Sequence, residues 1–140
     1  MEQKSFFGRE RVSAAVLSLY DDLSHLWAAD TCAPRMRDRW SPENPTLGQC
    51  SITAFLVQDL LGGQVLGVPL EDGNFHCYNV VDGVVFDLTS EQFGDRVLSY
   101  VGNRSQRREV HFAKEEKRLR YELLKSRLEK WRKKQGGSEA

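Results

Sequence analysis

The stretch Phe75-His76-Cys77-Tyr78-Asn79-Val80-Val81-Asp82-Gly83-Val84-Val85-Phe86-Asp87-Leu88 decides the fold. β-branched and aromatic residues run up to an Asp-Gly pair and resume directly after it, the pattern of two antiparallel strands joined by a two-residue type I′ turn. That loop length sets the register: Val81 faces Val84, Val80 faces Val85, Asn79 faces Phe86 and Tyr78 faces Asp87. Residues 76, 78, 80, 85, 87 and 89 then share one face. His76 and Asp87 become diagonal neighbours, with Cβ atoms about 7–8 Å apart, within reach of a carboxylate-to-imidazole hydrogen bond. A three-residue loop would reverse the parity and separate them.

Upstream of the hairpin, residues 51–61 carry Ile52, Phe55, Leu56, Val57, Leu60 and Leu61, and Gly62-Gly63 supplies a left-handed stop. A helix apolar on most sides belongs in the centre of a fold. Residues 64–68 read as a short strand and 69–74 as a loop leading to the hairpin. Cys50 directly precedes the helix. A helix N-terminus points unpaired N–H groups and a positive dipole end at such a thiol and lowers its pKa. Gly48 lets the backbone approach closely, which leaves the amide of Cys50 or Ser51 as an oxyanion donor.

Further out, Val12, Val16, Leu19, Leu23 and Leu26 recur at spacings of three and four, predicting an amphipathic helix over 9–28. From 29 to 47 the periodicity stops, and Pro34, Pro42 and Pro45 make this an extended approach loop. Thr89-Ser90-Glu91-Gln92 fits a capping box, predicting a short helix through about Leu98. After a polar break at 102–108, residues 113–134 form a charged helix with a narrow stripe of Leu119, Leu123, Leu124, Leu128 and Trp131. The expected architecture is α+β. An N-terminal helix and a central buried helix opening with Cys50 pack on a small antiparallel sheet, and a charged C-terminal helix completes a single domain over 1–135. Residues 136–140 are expected to be a flexible tail.

The chain has 140 residues, 40 % hydrophobic and 29 % charged, proportions of a soluble folded domain rather than a disordered or fibrous one. Twenty Lys and Arg balance twenty Asp and Glu, so no global field draws it to nucleic acid or an anionic membrane. The charge is unevenly placed: 114–134 carries ten basic residues against four Glu, so an acidic body bears a basic helix. With no stacking aromatics or nucleic-acid motif beside it, packing against the acidic body is favoured over phosphate binding. The three cysteines, at 32, 50 and 77, have no paired spacing, and no apolar signal run precedes Arg9, which point to free thiols and a cytoplasmic protein. No stretch approaches the roughly 20 apolar residues of a membrane span.

Cys50 taken alone is equally a small buried hydrophobe, His76 a strand histidine with a local partner, and Asp87 a strand-end residue bonding the Thr89 turn. Together they form the thiol, base and orienter of nucleophilic catalysis: Asp87 fixes the tautomer and stabilises the charged form of His76, whose other nitrogen deprotonates Cys50. Cys77 alternates to the other sheet face, which makes a Cys50/His76/Cys77 metal site awkward, and no metal or cofactor is called for. Cys32, in the approach loop, is either a resolving thiol or a bystander.

The run Trp40-Ser41-Pro42-Glu43-Asn44-Pro45-Thr46-Leu47-Gly48-Gln49-Cys50-Ser51-Ile52-Thr53-Ala54 resembles the YunG family of small bacterial proteins. Asp59, Gly62-Gly63, His76, Tyr78-Asn79, Asp82-Gly83, Asp87-Leu88-Thr89, Gln92-Phe93 and Arg120-Tyr121-Glu122-Leu123-Leu124 carry the resemblance over roughly residues 10–130. Gly48-Gln49-Cys50, His76-x-Tyr78-Asn79 and Asp87-x-Thr89 are also similar, more distantly, to the transglutaminase core, in which Gly-Gln-Cys opens the central helix and a His-x-Trp-Asn strand leads to Asp-x-Thr. That likeness implies a transglutaminase-like, papain-like fold with Cys50 as nucleophile, His76 as base and Asp87 as orienter. Tyr78 stands where that core has tryptophan, Ser51 lacks the bulky tryptophan often found after the cysteine, and the connections are shorter, so no substrate preference follows.

Two functional classes remain open at the level of sequence. One is acyl transfer or amide hydrolysis on a protein or peptide through a Cys50 thioester, with Gln49, Trp40, Asn44 and Asn79 as substrate-binding candidates and Trp40 equally suited to capping the core. The other is a non-catalytic module on the same fold that binds a protein or peptide through its cleft or its basic helix.

Overall fold

The computed structural model describes residues 5–136. Helix α1 spans Ala14–Ser24, α2 Cys50–Leu61, α3 Arg108–His111 and α4 Glu115–Gly136; strands β1 (Gln64–Pro69), β2 (Phe75–Val81), β3 (Val84–Phe86) and β4 (Arg104–Ser105) form an antiparallel sheet in the order β3-β2-β1-β4. This is a mixed α+β arrangement with a small antiparallel sheet. Of the tail expected over 136–140, Gly136 ends α4 and the rest lies outside the described residues. Among the described residues no helix is long and apolar enough to cross a membrane.

The hairpin forms in the expected register, pairing Val81 with Val84, Val80 with Val85 and Asn79 with Phe86. Both turn residues take positive φ, 52° at Asp82 and 79° at Gly83, as a type I′ turn requires. The two sheet faces are covered differently. Val65, Cys77 and Phe86 join Ile52, Phe55 and Leu56 of α2 in the main core, with Leu19 and Leu23 of α1 and Leu124 and Leu128 of α4. Asn79 secures this face by donating to the Ala54 carbonyl of α2 at 2.9 Å. The opposite face packs Val68, Tyr78, Val80 and Val85 against Phe93, Leu98 and Tyr100. Helix α2 therefore covers the face opposite the one that His76 shares with Tyr78 and Val80. Helix α2 packs on the sheet as expected, and Cys50, at its first residue, approaches His76 at the end of the sheet rather than across a face.

Several expected boundaries shift for local reasons. The 9–28 helix contracts to α1, because the Ser13 hydroxyl caps it by accepting from Val16 N at 3.4 Å and the His25 N–H turns back onto the Asp22 and Leu23 carbonyls. The proline-rich approach is ordered by two 3-10 turns, Ala29–Thr31 and Pro34–Arg39, and Arg37 donates to the carbonyls of Ala29 and Cys32. No capping box forms at Thr89, and the following helix is a 3-10 turn that stops at Phe93 rather than Leu98. The Thr89 hydroxyl turns to Asp87 Oδ1 instead, at 3.4 Å. Strand β4 lies within the expected polar break and pairs Ser105 with Leu66 and Arg104 with Gly67.

Helix α4 buries Arg120, Tyr121, Leu124 and Leu128, whereas Leu119, expected in the stripe, is 52 % exposed. Its basic residues meet the acidic body: Arg127 binds the Asp30 carboxylate at 2.8 and 2.5 Å, and Arg132 and the Trp131 indole both bind Asp22. Asp59 of α2 receives Arg108 of α3 at 2.6 and 2.7 Å and also the Tyr121 hydroxyl. These ties hold α3 and α4 against α2 and so set the wall described next.

Candidate functional site

The segment before α2 folds tightly because Gly48 takes φ of +72°. A Cβ on Gly48 would stand 2.5 Å from Cys32 Sγ and 2.9 Å from Ala33 N, so the glycine is a steric requirement. Gln49, the residue before the helix, supplies no side-chain cap. The first-turn N–H groups of α2, at Cys50 and Ser51, thus lack intrahelical acceptors at the spot where the thiol sits. Cys50 is half-buried and lines a cavity of about 300 Å³ together with Gly48, Ser51, His76 and Gln92.

His76, 1 % exposed, lies at the start of β2 and donates from Nε2 to Asp87 Oδ2 at 2.6 Å. Its ring is braced edge-on against Phe93, with centroids 4.7 Å apart. With Nε2 committed, Nδ1 is the nitrogen left for the thiol. Asp87 is fully buried, and its carboxylate also accepts from the Tyr100 hydroxyl at 2.7 Å and from the Thr89 amide at 3.2 Å. Such complete pairing is what a buried carboxylate needs. Gln92 joins the two loops: its amide donates to the Thr89 carbonyl at 2.9 Å and its Oε1 accepts from Gly48 N at 3.3 Å.

The charges reinforce one another. The Cys50 thiol is drawn well below its ordinary pKa, first by the hydrogen bond from the Cys77 thiol, against the opposing cost of burial, and then by the charge and hydrogen bond of His76. Burial pulls His76 down, but Asp87 and then Cys50 outweigh it and raise its pKa from 6.5 to about 10. Both directions favour a thiolate–imidazolium pair with the aspartate behind it. Cys77 is pushed the other way, its proton retained by the bond to Cys50 and by burial.

The far wall comes from α3 and α4. The Lys117 ammonium donates to His111 Nδ1 at 2.9 Å, and His111 Nε2 donates to Gln106 Oε1 at 2.9 Å. That order requires a neutral imidazole, and burial followed by the Lys117 charge lowers the His111 pKa to about 4. Among the described residues no group of three or more His, Cys, Asp or Glu side chains is arranged to hold a metal ion.

Of the residues singled out from sequence, Cys50, His76 and Asp87 come together, and the substrate-binding candidates lie elsewhere. The Gln49 side chain points away, donating to the Ala28 carbonyl at 3.0 Å, with its Oε1 buried and unpaired. The Trp40 indole donates to the Pro45 carbonyl at 3.0 Å, Asn44 bridges to Ser41, and Asn79 is bonded to α2. None of these four is among the cavity-lining residues. Cys32 is fully buried beneath Gly48. Tyr100, His111 and Lys117 were not anticipated and reach the site through long-range packing, while Cys77, weighed as a metal ligand and set aside for lying on the other sheet face from His76, meets Cys50 as a neighbouring thiol.

The family model described as YunG protein matches residues 15–133, a stretch that contains all of these side chains. This chain belongs to the YunG family. It is 44 % identical over 55 residues to the "Uncharacterized protein YunG" of Bacillus subtilis (strain 168). That YunG alignment covers 39 % of this chain and 47 % of the relative, so it spans about half the length of the curated protein. No solved structure matches the chain.

Proposed function

We propose that this YunG-family protein is a thiol-dependent enzyme of acyl transfer or amide hydrolysis on a transglutaminase-like, papain-like core, acting on a protein or peptide substrate. The observation that carries the proposal is the alignment of a helix-start thiol, Cys50, with an imidazole whose Nε2 is held 2.6 Å from a buried carboxylate, at an accessible cavity.

In this reaction the Cys50 thiolate attacks an amide carbonyl. A C–S bond forms, the carbonyl electrons move to oxygen, and the first-turn N–H groups of α2 face the developing oxyanion. Collapse expels the amine, which takes the proton from His76 Nδ1, and a thioester remains. Water or a second amine then attacks the thioester, gives a proton to His76, and restores the thiolate. Asp87 keeps the imidazole oriented and charged throughout.

Alkylation as a function of pH tests the proposal without a known substrate. Cys50, mapped by mass spectrometry, should react with iodoacetamide faster than Cys32 and Cys77 and well below pH 8, the region where an ordinary thiol begins to ionise. Equal reactivity of the three cysteines, appearing only at alkaline pH, would leave a binding module in place of the enzyme.

A further inference from the structure

The cavity beside Cys50 is lined by an excess of positive charge, although the whole chain is neutral. Arg35, Lys114, Lys117 and Arg120 line it, and Glu116 is the one acidic residue in the lining. Glu116 is already engaged, with Arg120 Nε at 2.8 Å, while Arg120 also donates to the Thr31 carbonyl at 3.1 Å. Arg35, Lys114 and Lys117 have no carboxylate within salt-bridge distance among the described residues.

Lys117 is the group this leaves exposed to the cavity's needs. It is half-buried, and its hydrogen-bond partner, His111, is held neutral by the donor order running to Gln106. Neutral His111 accepts one hydrogen bond from the ammonium and cancels none of the charge. Lys117 and Cys50 line the same cavity; burial lowers the Lys117 pKa, and the charges of Cys50 and then Cys77 oppose that fall. A partly desolvated cation with two spare N–H donors is stabilised by an incoming anion.

We infer that the cavity accepts a substrate bearing an anionic group, a carboxylate or one of like charge, next to the reacting acyl carbon, and that Lys117 receives it with Lys114 and Arg35 alongside. The inference rests on Cys50 being the reacting thiol. Lys117 is thereby a specificity-determining residue on the helix farthest in sequence from Cys50.

Iodoacetate and iodoacetamide, alike in size and different in charge, probe this directly at a pH where the thiolate is fully formed. For Cys50 the ratio of the iodoacetate rate constant to the iodoacetamide rate constant should exceed that of the small thiol N-acetylcysteine amide by about tenfold and fall with added salt. Lys117→Gln should cut the ratio roughly threefold or more, Lys117→Arg should restore it, and Lys125→Gln, outside the cavity lining, should leave it alone. A parent ratio equal to that of the small thiol, or one indifferent to Lys117→Gln, overturns the inference while leaving the thiolate proposal standing. If neither reagent prefers Cys50 over Cys32 and Cys77, the thiolate proposal itself fails, and the inference with it. Should Lys117→Gln unfold and expose Cys32 to reagent, the exposed Lys114 carries the test through Lys114→Gln, and an unchanged ratio there overturns the inference.

Discussion

The Tyr100 hydroxyl donates to Asp87 Oδ2 at 2.7 Å, on the same oxygen where His76 Nε2 arrives at 2.6 Å. Two donors, one from the strand and one from a loop packed on the same face of the sheet, thus hold one buried carboxylate in place. Asp87→Asn keeps the shape and removes the charge that raises the His76 pKa. A less readily charged imidazole stabilises the Cys50 thiolate less, so the pH profile of iodoacetamide alkylation should move to higher pH. Tyr100→Phe leaves the carboxylate short of a donor and should cost about 1.5–3 kcal/mol in urea denaturation.

Cys77 makes a separate contribution, since its thiol is the largest influence on Cys50. Cys77→Ala removes that donor and should raise the pH at which Cys50 alkylates, whereas Cys77→Ser keeps a donor and should preserve most of the parent profile. Identical profiles for the two variants would show that the Cys77 side chain does not support the thiolate.

Stability should respond to pH through the same pair. In the unfolded chain an imidazole gains its proton below about 6.5 and a thiol loses its own above about 9.0, whereas the folded His76 stays charged to about 10 and the folded Cys50 ionises well below 9.0. Just below 9.0 both states hold one proton on the pair, so its contribution is flat there. Above 9.0 the unfolded thiol loses its proton while His76 keeps one, so stability falls toward pH 10. In Cys50→Ser, His76 loses the thiolate that raises its pKa, and the alkaline fall should move to lower pH in urea midpoints.

Gly48 is a steric test of the loop that delivers Cys50. Gly48→Ala imposes both a positive φ and a clash with Cys32 Sγ at 2.5 Å and Ala33 N at 2.9 Å. A loss of roughly 1–3 kcal/mol is expected. Adding Cys32→Ala should recover only part of it, because the Ala33 amide remains in the way.

Two arginines of α4 should separate cleanly. Arg120 is 6 % exposed and satisfies the Thr31 carbonyl, so Arg120→Ala should cost about 1–3 kcal/mol. Arg127 meets Asp30 in solvent, with 31 % and 56 % of the two side chains exposed, and Arg127→Ala should cost under about 1 kcal/mol.

The parts of the site legible in the sequence are those governed by neighbours in the chain. An Asp-Gly turn determines a register, and a register brings His76 beside Asp87 whatever the rest of the fold does. The covering of the hairpin was not legible, because both of its faces are apolar: Cys77, Val81 and Phe86 on one side match Tyr78, Val80 and Val85 on the other, so no polar face marks where α2 must not go. Thr89 and Gln92 misled for a different reason. Their side chains fit a helix cap, yet the buried Asp87 and the Gly48 amide are stronger claimants for the same hydrogen bonds. In α4 the leucine pattern pointed to Leu119, while the long stem of Arg120 took the buried position and carried its charge to Glu116 and Thr31.

The clamp between Asp59 and the pair Arg108 and Tyr121 has a consequence for biosynthesis. A nascent chain that has cleared Asp87 already holds Cys50, His76 and Asp87, yet it has neither the residues that grip α2 from outside nor the cationic wall of Lys114 and Lys117. On the ribosome the cavity is therefore closed last, by the helix that emerges last among the described elements, and a truncated translation product would release the three side chains without the enclosure that gives them a pocket.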